Sequence, residues 1–133
     1  MTTNPSRTRA RLAAAACALA LIAAAQAQAP GIKRTILQRT DIGDREVVLG
    51  MAEIAPGGST GRHTHPGIET GYVLEGSTVL VIDGEAPRVL KAGDSYSIAA
   101  DKVHDARAEG TGAAKVIATY VVEKGKPLAS PAP

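Results

Sequence analysis

Beyond residue 30 the chain reads as short β-type runs cut by glycine turns. The clearest strand is 77–82 (STVLVI), and 46–54 (EVVLGMAEI) is a longer run of the same kind. Further strands are expected at 32–38, 70–74, 86–90, 95–98, 104–108 and 113–122, with a short extended piece at 62–65. The breaks are DIGD at 41–44, PGGS at 56–59, Gly76, KAGD at 91–94 and GTG at 110–112. Asp83-Gly84 fits a two-residue hairpin turn of type I′. No segment in this part keeps a helical period over ten residues. Strands at intervals of about 8–12 residues, divided by such turns, predict an all-β sandwich or barrel. The Pro-rich end, 124–133, is expected to be a flexible tail.

The first part of the chain has a different character. Arg7, Arg9 and Arg11 precede an apolar run from 12 to 25, and two A-x-A sites follow at 25–27 and 27–29. This order is that of a cleavable secretory signal peptide. The run is short of the ~20 residues that cross a bilayer. The expected organisation is a signal peptide over 1–27, with cleavage after 29 as the alternative, one domain over 30–123, and the tail. The mature protein is then exported, to the periplasm or outside the cell, with no membrane attachment.

Removing the leader changes the charge. The whole chain has 15 Lys+Arg and 13 Asp+Glu. Three arginines and no acids leave with the leader, so 12 basic residues face 13 acidic ones, a net −1. With no basic stripe or aromatic platform, a nucleic-acid partner is excluded. The single cysteine, Cys17, lies in the leader. Disulfides and thiolate ligands are therefore unavailable to the mature part. Phe and Trp are absent, and the aromatics are Tyr72, Tyr96 and Tyr120, so the core must be built from aliphatic side chains.

The candidate chemistry lies in 57–76, GGSTGRHTHPGIETGYVLEG. His63 and His65, two apart on a strand, point to one face at roughly 6.6–7 Å between Cα atoms. Metal–nitrogen bonds of about 2.1 Å let two such rings converge on one ion. A turn at Pro66-Gly67 would swing Glu69 back as an oxygen ligand. His104, the third histidine, would have to reach the site from elsewhere. Arg62, Tyr72 and Tyr96 read first as solvated or packing residues.

The pattern G-x5-H-x-H-x3-E-x6-G over 57–76 resembles the first motif of the cupin superfamily at every defined position. The second cupin motif, G-x5-P-x-G-x2-H-x3-N, is matched at Gly93 and His104. Ala99, Asp101 and Ala108 stand where that motif has proline, glycine and asparagine. The intervening 77–92 is close to the shortest gap in the family. The resemblance implies a small single-domain cupin, a double-stranded β-helix or jelly-roll barrel. It also implies a metal held by His63, His65, Glu69 and His104. Pairing of small cupins through their N-terminal strands implies a homodimer built on 32–38.

Three imidazoles and one carboxylate around a divalent ion give a net +1 site with room for one or two waters. Mn, Fe, Ni, Cu and Zn all suit such ligands. The ligand set resembles that of quercetin dioxygenase-like cupins, which implies a dioxygenase-like or isomerase-like enzyme acting on a small molecule. The alternatives are a non-catalytic binder of a small ligand or of the metal, and a metal-free structural barrel.

Overall fold

A computed structural model describes residues 31–133. The expected signal peptide at 1–27 and both expected cleavage sites lie outside the described residues. Ten strands and no helix occur among the described residues: β1 Ile32–Ile42, β2 Arg45–Ile54, β3 His63–Thr64, β4 Gly67–Glu75, β5 Ser77–Ile82, β6 Arg88–Lys91, β7 Ser95–Ile98, β8 His104–Ala108, β9 Ala114–Glu123 and β10 Ser130–Pro131. They form two five-stranded sheets, ordered β1-β2-β9-β4-β7 and β10-β3-β8-β5-β6. Every pairing is antiparallel. The expected all-β jelly-roll architecture is present.

Side-chain alternation assigns the inner faces. On β4 the inward positions are Gly67, Glu69, Gly71 and Val73, and on β5 they are Thr78, Leu80 and Ile82. Val73, Leu80, Ile82, Leu90, Ile98 and Val116 pack into one buried aliphatic cluster between the sheets. Ile32, Ile54 and Ala114 form a second. Fully burying such a side chain contributes about 1.5–3 kcal/mol, so these two clusters hold the sheets together without any Phe or Trp.

Three local expectations are corrected. β1 runs through Asp41 and Ile42 to a two-residue turn at Gly43-Asp44, because the pairing with β2 continues to Ile42↔Arg45. At Asp83-Gly84 the turn closes through the Glu85 amide on the Ile82 carbonyl (3.0 Å), and only Gly84 has positive φ, at 85°. A type I′ turn needs positive φ at both central residues, so the φ signs are those of type II. Finally, 124–133 is not a free tail. Ser130 and Pro131 pair with Thr64 and His63, and the Ala132 amide donates to the Arg62 carbonyl at 3.0 Å. The prolines end regular sheet but leave the remaining backbone groups free to pair at an edge.

Candidate metal centre

The four residues singled out by spacing come together between the sheets. His63 and His104 are direct cross-strand partners on β3 and β8. His65 is the next residue of the same parity as His63, and both are buried. Glu69 arrives from the opposite sheet. The chain bends at Pro66 and enters β4 at once, so Glu69 is delivered by a strand and not by a hydrogen-bonded Pro66-Gly67 turn. There it stands beside Ile98 of β7 and Tyr120 of β9.

Backbone carbonyls orient all three imidazoles. Nδ1 of His63 lies 2.6 Å from the Gly61 carbonyl, Nδ1 of His65 lies 2.6 Å from the Leu128 carbonyl, and Nδ1 of His104 lies 2.8 Å from the Lys102 carbonyl. A carbonyl only accepts, so each Nδ1 carries the proton, and in the neutral ring each Nε2 is a lone pair. The ligand atoms of the three rings lie within 4.8 Å of one another. Two bonds of about 2.1 Å span at most about 4.2 Å, so small ring rotations close the group on one ion.

Glu69 faces two of these nitrogens. Its Oε2 is 3.1 Å from Nε2 of His65 and 3.3 Å from Nε2 of His104. These contacts are long for charge-assisted hydrogen bonds. The Glu69 Oε2 atom and both Nε2 atoms are buried without a satisfied hydrogen bond. Each unsatisfied buried polar atom costs about 1–3 kcal/mol. A cation among them satisfies all three at once, so the donor set fits a divalent metal.

The electrostatics agree. Burial pushes the His63 pKa down to about 4, against the Gly61 carbonyl, which favours the proton; the neighbouring imidazoles and Arg34 lower it further. Burial alone would raise the Glu69 carboxyl, but His104, His65 and Tyr96 outweigh it and hold the group well below the usual carboxylate range. Burial opposes a proton on His104 too, yet the contact with Glu69 and the Lys102 carbonyl raise its pKa. Without metal, the site therefore keeps one carboxylate and one proton-hungry imidazole.

A cavity of about 40 Å³ adjoins the group, room for about three waters at ~10–15 Å³ each. Aliphatic side chains form half of its wall, with Tyr96, Tyr120 and Arg34 as the polar groups beyond the ligands and two threonines. Ala106 lines it as well, as its shared parity with His104 requires.

Residues 50–120 match the family profile described as "Cupin domain". The chain is a cupin. Among curated proteins, dimethylsulfoniopropionate lyase DddW of Ruegeria pomeroyi is 38% identical to this cupin over 71 residues, 53% of this chain and 46% of that protein. The chain thus spans about half the length of that relative. Among solved structures, the polyketide cyclase RemF from Streptomyces resistomycificus is 28% identical at a TM-score of 0.62, covering 74% of this cupin and 70% of RemF. The DMSP lyase DddQ from Ruegeria pomeroyi, 17% identical at a TM-score of 0.64, covers 75% of this chain and 51% of its own, and shows the shared fold.

Several supporting residues escaped the motif reading. Tyr96 donates to Oε1 of Glu69 at 2.7 Å; the β7 alternation that also turns Ile98 inward was the available signal. Asp105, on the opposite face of β8 from His104, accepts from Ser59 (2.7 Å), Thr60 (3.0 Å) and Arg107 (2.8 Å), pinning the loop that leads into His63. Arg34 reaches the cavity from β1 with the parity of Ile32. Arg62 is instead engaged bidentately with Asp83, at 2.8 Å for each contact.

Proposed function

We propose that this cupin binds one divalent metal through Nε2 of His63, His65 and His104 and the carboxylate of Glu69, and uses it as an enzyme on a small molecule. The three buried, unsatisfied atoms that face one another, behind imidazoles fixed by backbone carbonyls, carry this reading. Such an ion would supply Lewis-acid polarisation of a carbonyl or carboxylate oxygen. Tyr96 and Tyr120 line the same cavity. Burial first, and then the Glu69 charge, push both phenols well above their ordinary range, so both keep their protons and act as hydrogen-bond donors, Tyr96 to Glu69. A Lewis acid beside neutral hydrogen-bonding phenols supports an oxygen-independent reaction at a carbon next to a carboxylate or carbonyl. The similarity to DddW, a lyase by name, favours this over the dioxygenase-like reading.

Elemental analysis followed by turnover under argon tests the proposal. Wild type should hold about one ion per chain, His104→Ala should lose most of it, and dimethylsulfoniopropionate or a related small acid should be converted without oxygen. Metal content unchanged by His104→Ala would remove His104 from the site. Product formed only in air would favour the oxygen-using chemistry. Binding without product across metal forms would leave a non-catalytic binder.

Export and pairing belong to the same reading. The leader at 1–27 supports cleavage and release outside the cytoplasm. Among the described residues, no helix is long and apolar enough to cross a membrane. β1 is an edge strand with Ile36, Leu37 and Ile42 exposed. Such an edge is a template for pairing, which supports a homodimer through that strand.

A further inference from the structure

We propose that Arg34 is the anchor for a substrate carboxylate, making the molecule handled at the metal centre a small carboxylic acid with a short, mostly apolar remainder. This rests on the proposed metal-dependent function and names its substrate class.

Placement carries the argument. Beside the inner cavity lies an outer cleft of about 370 Å³. Arg34, Thr60 and His63 line both, so they stand where the two meet. A carboxylate on the guanidinium would lie at this junction, with the rest of a small molecule directed inward past His63. The inner wall beyond is aliphatic, from Ile54, Leu80, Leu90, Ile98 and Val116, which suits a short apolar chain.

Charge points the same way. The inner cavity is lined by one carboxylate, Glu69, and one guanidinium, Arg34. A divalent ion added to these leaves an excess of two positive charges. The outer cleft is lined by Arg34, Arg39 and Arg62 and by no acidic side chain. An anion in the cleft is thus drawn towards the excess positive charge at the junction. At the rim, Arg39 is paired with Glu46 and Arg62 with Asp83.

Arg34 is also held in place. Its Nη2 donates to the Thr60 carbonyl at 2.8 Å. The Thr60 hydroxyl is in turn fixed by the Ala106 amide at 2.8 Å and by Asp105 at 3.0 Å. Guanidinium is a planar fork suited to bidentate carboxylate binding, and a restrained fork loses little freedom when it binds. Burial lowers the Arg34 pKa, and the charges of Tyr120 and Glu69 oppose that, consistent with a desolvated guanidinium facing the site.

The test compares glycolate with its neutral isostere glycolamide on cobalt(II)-loaded protein, following the visible cobalt bands. Cobalt itself prefers the anion, so the decisive quantity is the change in the glycolate-to-glycolamide affinity ratio between proteins of equal cobalt content. Arg34→Gln should lower that ratio by about ten-fold or more, and Arg34→Lys should restore part of it. An unchanged ratio in Arg34→Gln overturns the proposal. Loss of cobalt from folded Arg34→Gln and Arg34→Lys would also overturn it, making Arg34 a support for the metal ligands. Wild type that takes up no cobalt defeats the metal reading instead. The Arg34 assignment is then read in metal-free protein from glycolate-dependent shifts of the histidine NMR signals. Loss of those shifts in Arg34→Gln supports it, and equal shifts overturn it.

Discussion

Tyr96 donates its hydroxyl to Oε1 of Glu69 at 2.7 Å, which leaves Oε2 of the same carboxylate facing His65 and His104. One phenol thereby fixes the rotation of the only acidic group in the cluster. Partners of this kind orient metal ligands, and losing one typically costs 10–100-fold in metal affinity. Tyr96→Phe should accordingly weaken metal binding by about that factor while leaving the β-sheet circular dichroism unchanged. Competition with a chelator of known affinity measures it, and affinity within about two-fold of wild type would make Tyr96 a packing residue only.

Gly71 is what lets Tyr96 lie where it does. The two are cross-strand neighbours on β4 and β7, and a Cβ on Gly71 would meet the Tyr96 ring carbon Cζ at 2.2 Å. Gly71→Ala should therefore displace the ring and reproduce the metal defect of Tyr96→Phe, with an added loss of about 1–3 kcal/mol from overpacking. The double variant checks the mechanism. With the hydroxyl already absent, Gly71→Ala should cost stability but little further metal affinity.

The strand period of two made the His63/His65 pair legible, whereas Glu69 and His104 were legible through the resemblance to the two cupin motifs, since the strands that deliver them are brought in by long-range pairing. Other groups brought in by long-range pairing were not legible. The Leu128 carbonyl that orients His65 is a backbone atom, so the identity of its residue carries no signal. Arg34 sits in a run of mixed patterning, where an inward arginine and a solvated one look alike until the barrel closes around it. The end of the chain was misread for a related reason. Proline content reports the absence of regular structure, and it does not report whether an edge such as β3 is open to receive two residues.

Asp101 is the non-glycine residue with positive φ among the described residues, at 61°. It occupies the position where the second cupin motif has glycine. The strain is retained because the turn serves two ligands. The Asp101 amide donates to the His65 carbonyl at 3.0 Å, and the next residue's carbonyl accepts from His104. A side chain in this conformation costs about 1–2 kcal/mol, less for aspartate, and glycine returns about 0.4–1 kcal/mol through its freer unfolded chain. Asp101→Gly should then stabilise the protein by about 0.5 kcal/mol, seen as a small rise in urea midpoint at constant slope. A lower midpoint would show that the aspartate side chain contributes more than its backbone costs.

Metal binding should release a proton near neutrality, and His104 is its source. Its pKa lies above the ordinary 6.5, so at pH 6.5 more than half of the metal-free protein carries that proton. His63, at about 4, has none to lose there. Metal affinity should rise with pH through the His104 value and flatten above it. Calorimetry at pH 6.5 in buffers of different ionisation enthalpy should give at least half a proton released per ion; none would contradict the assignment. The stability of the metal-free protein follows the same groups. The His104 contribution is fully present below about pH 6.5 and is lost as pH rises through its folded value. The His63 term has the opposite sense, with stability lost as pH falls from 6.5 towards 4, because only the unfolded chain then takes the proton.

The last strand gives the sharpest separation of backbone from side chain. Ending the chain at Pro127 removes the Leu128 carbonyl 2.6 Å from His65 Nδ1, the pairing of β10 with β3, and the Pro133 carbonyl that accepts from Arg62 at 2.6 Å. Neither buried aliphatic cluster includes a residue beyond 116, so the barrel should still fold. The His65 ring, however, loses the acceptor that holds its proton on Nδ1 and points Nε2 at the other ligands. Metal affinity should fall by about 10–100-fold, the usual effect of removing a partner that orients a ligand. Leu128→Ala keeps the carbonyl and should bind metal as wild type does. The comparison is decisive because the two changes share the loss of the leucine side chain and differ in the backbone. Equal losses in both would assign the effect to the side chain in the outer cleft. No loss in either would show that His65 is oriented without the C-terminal strand.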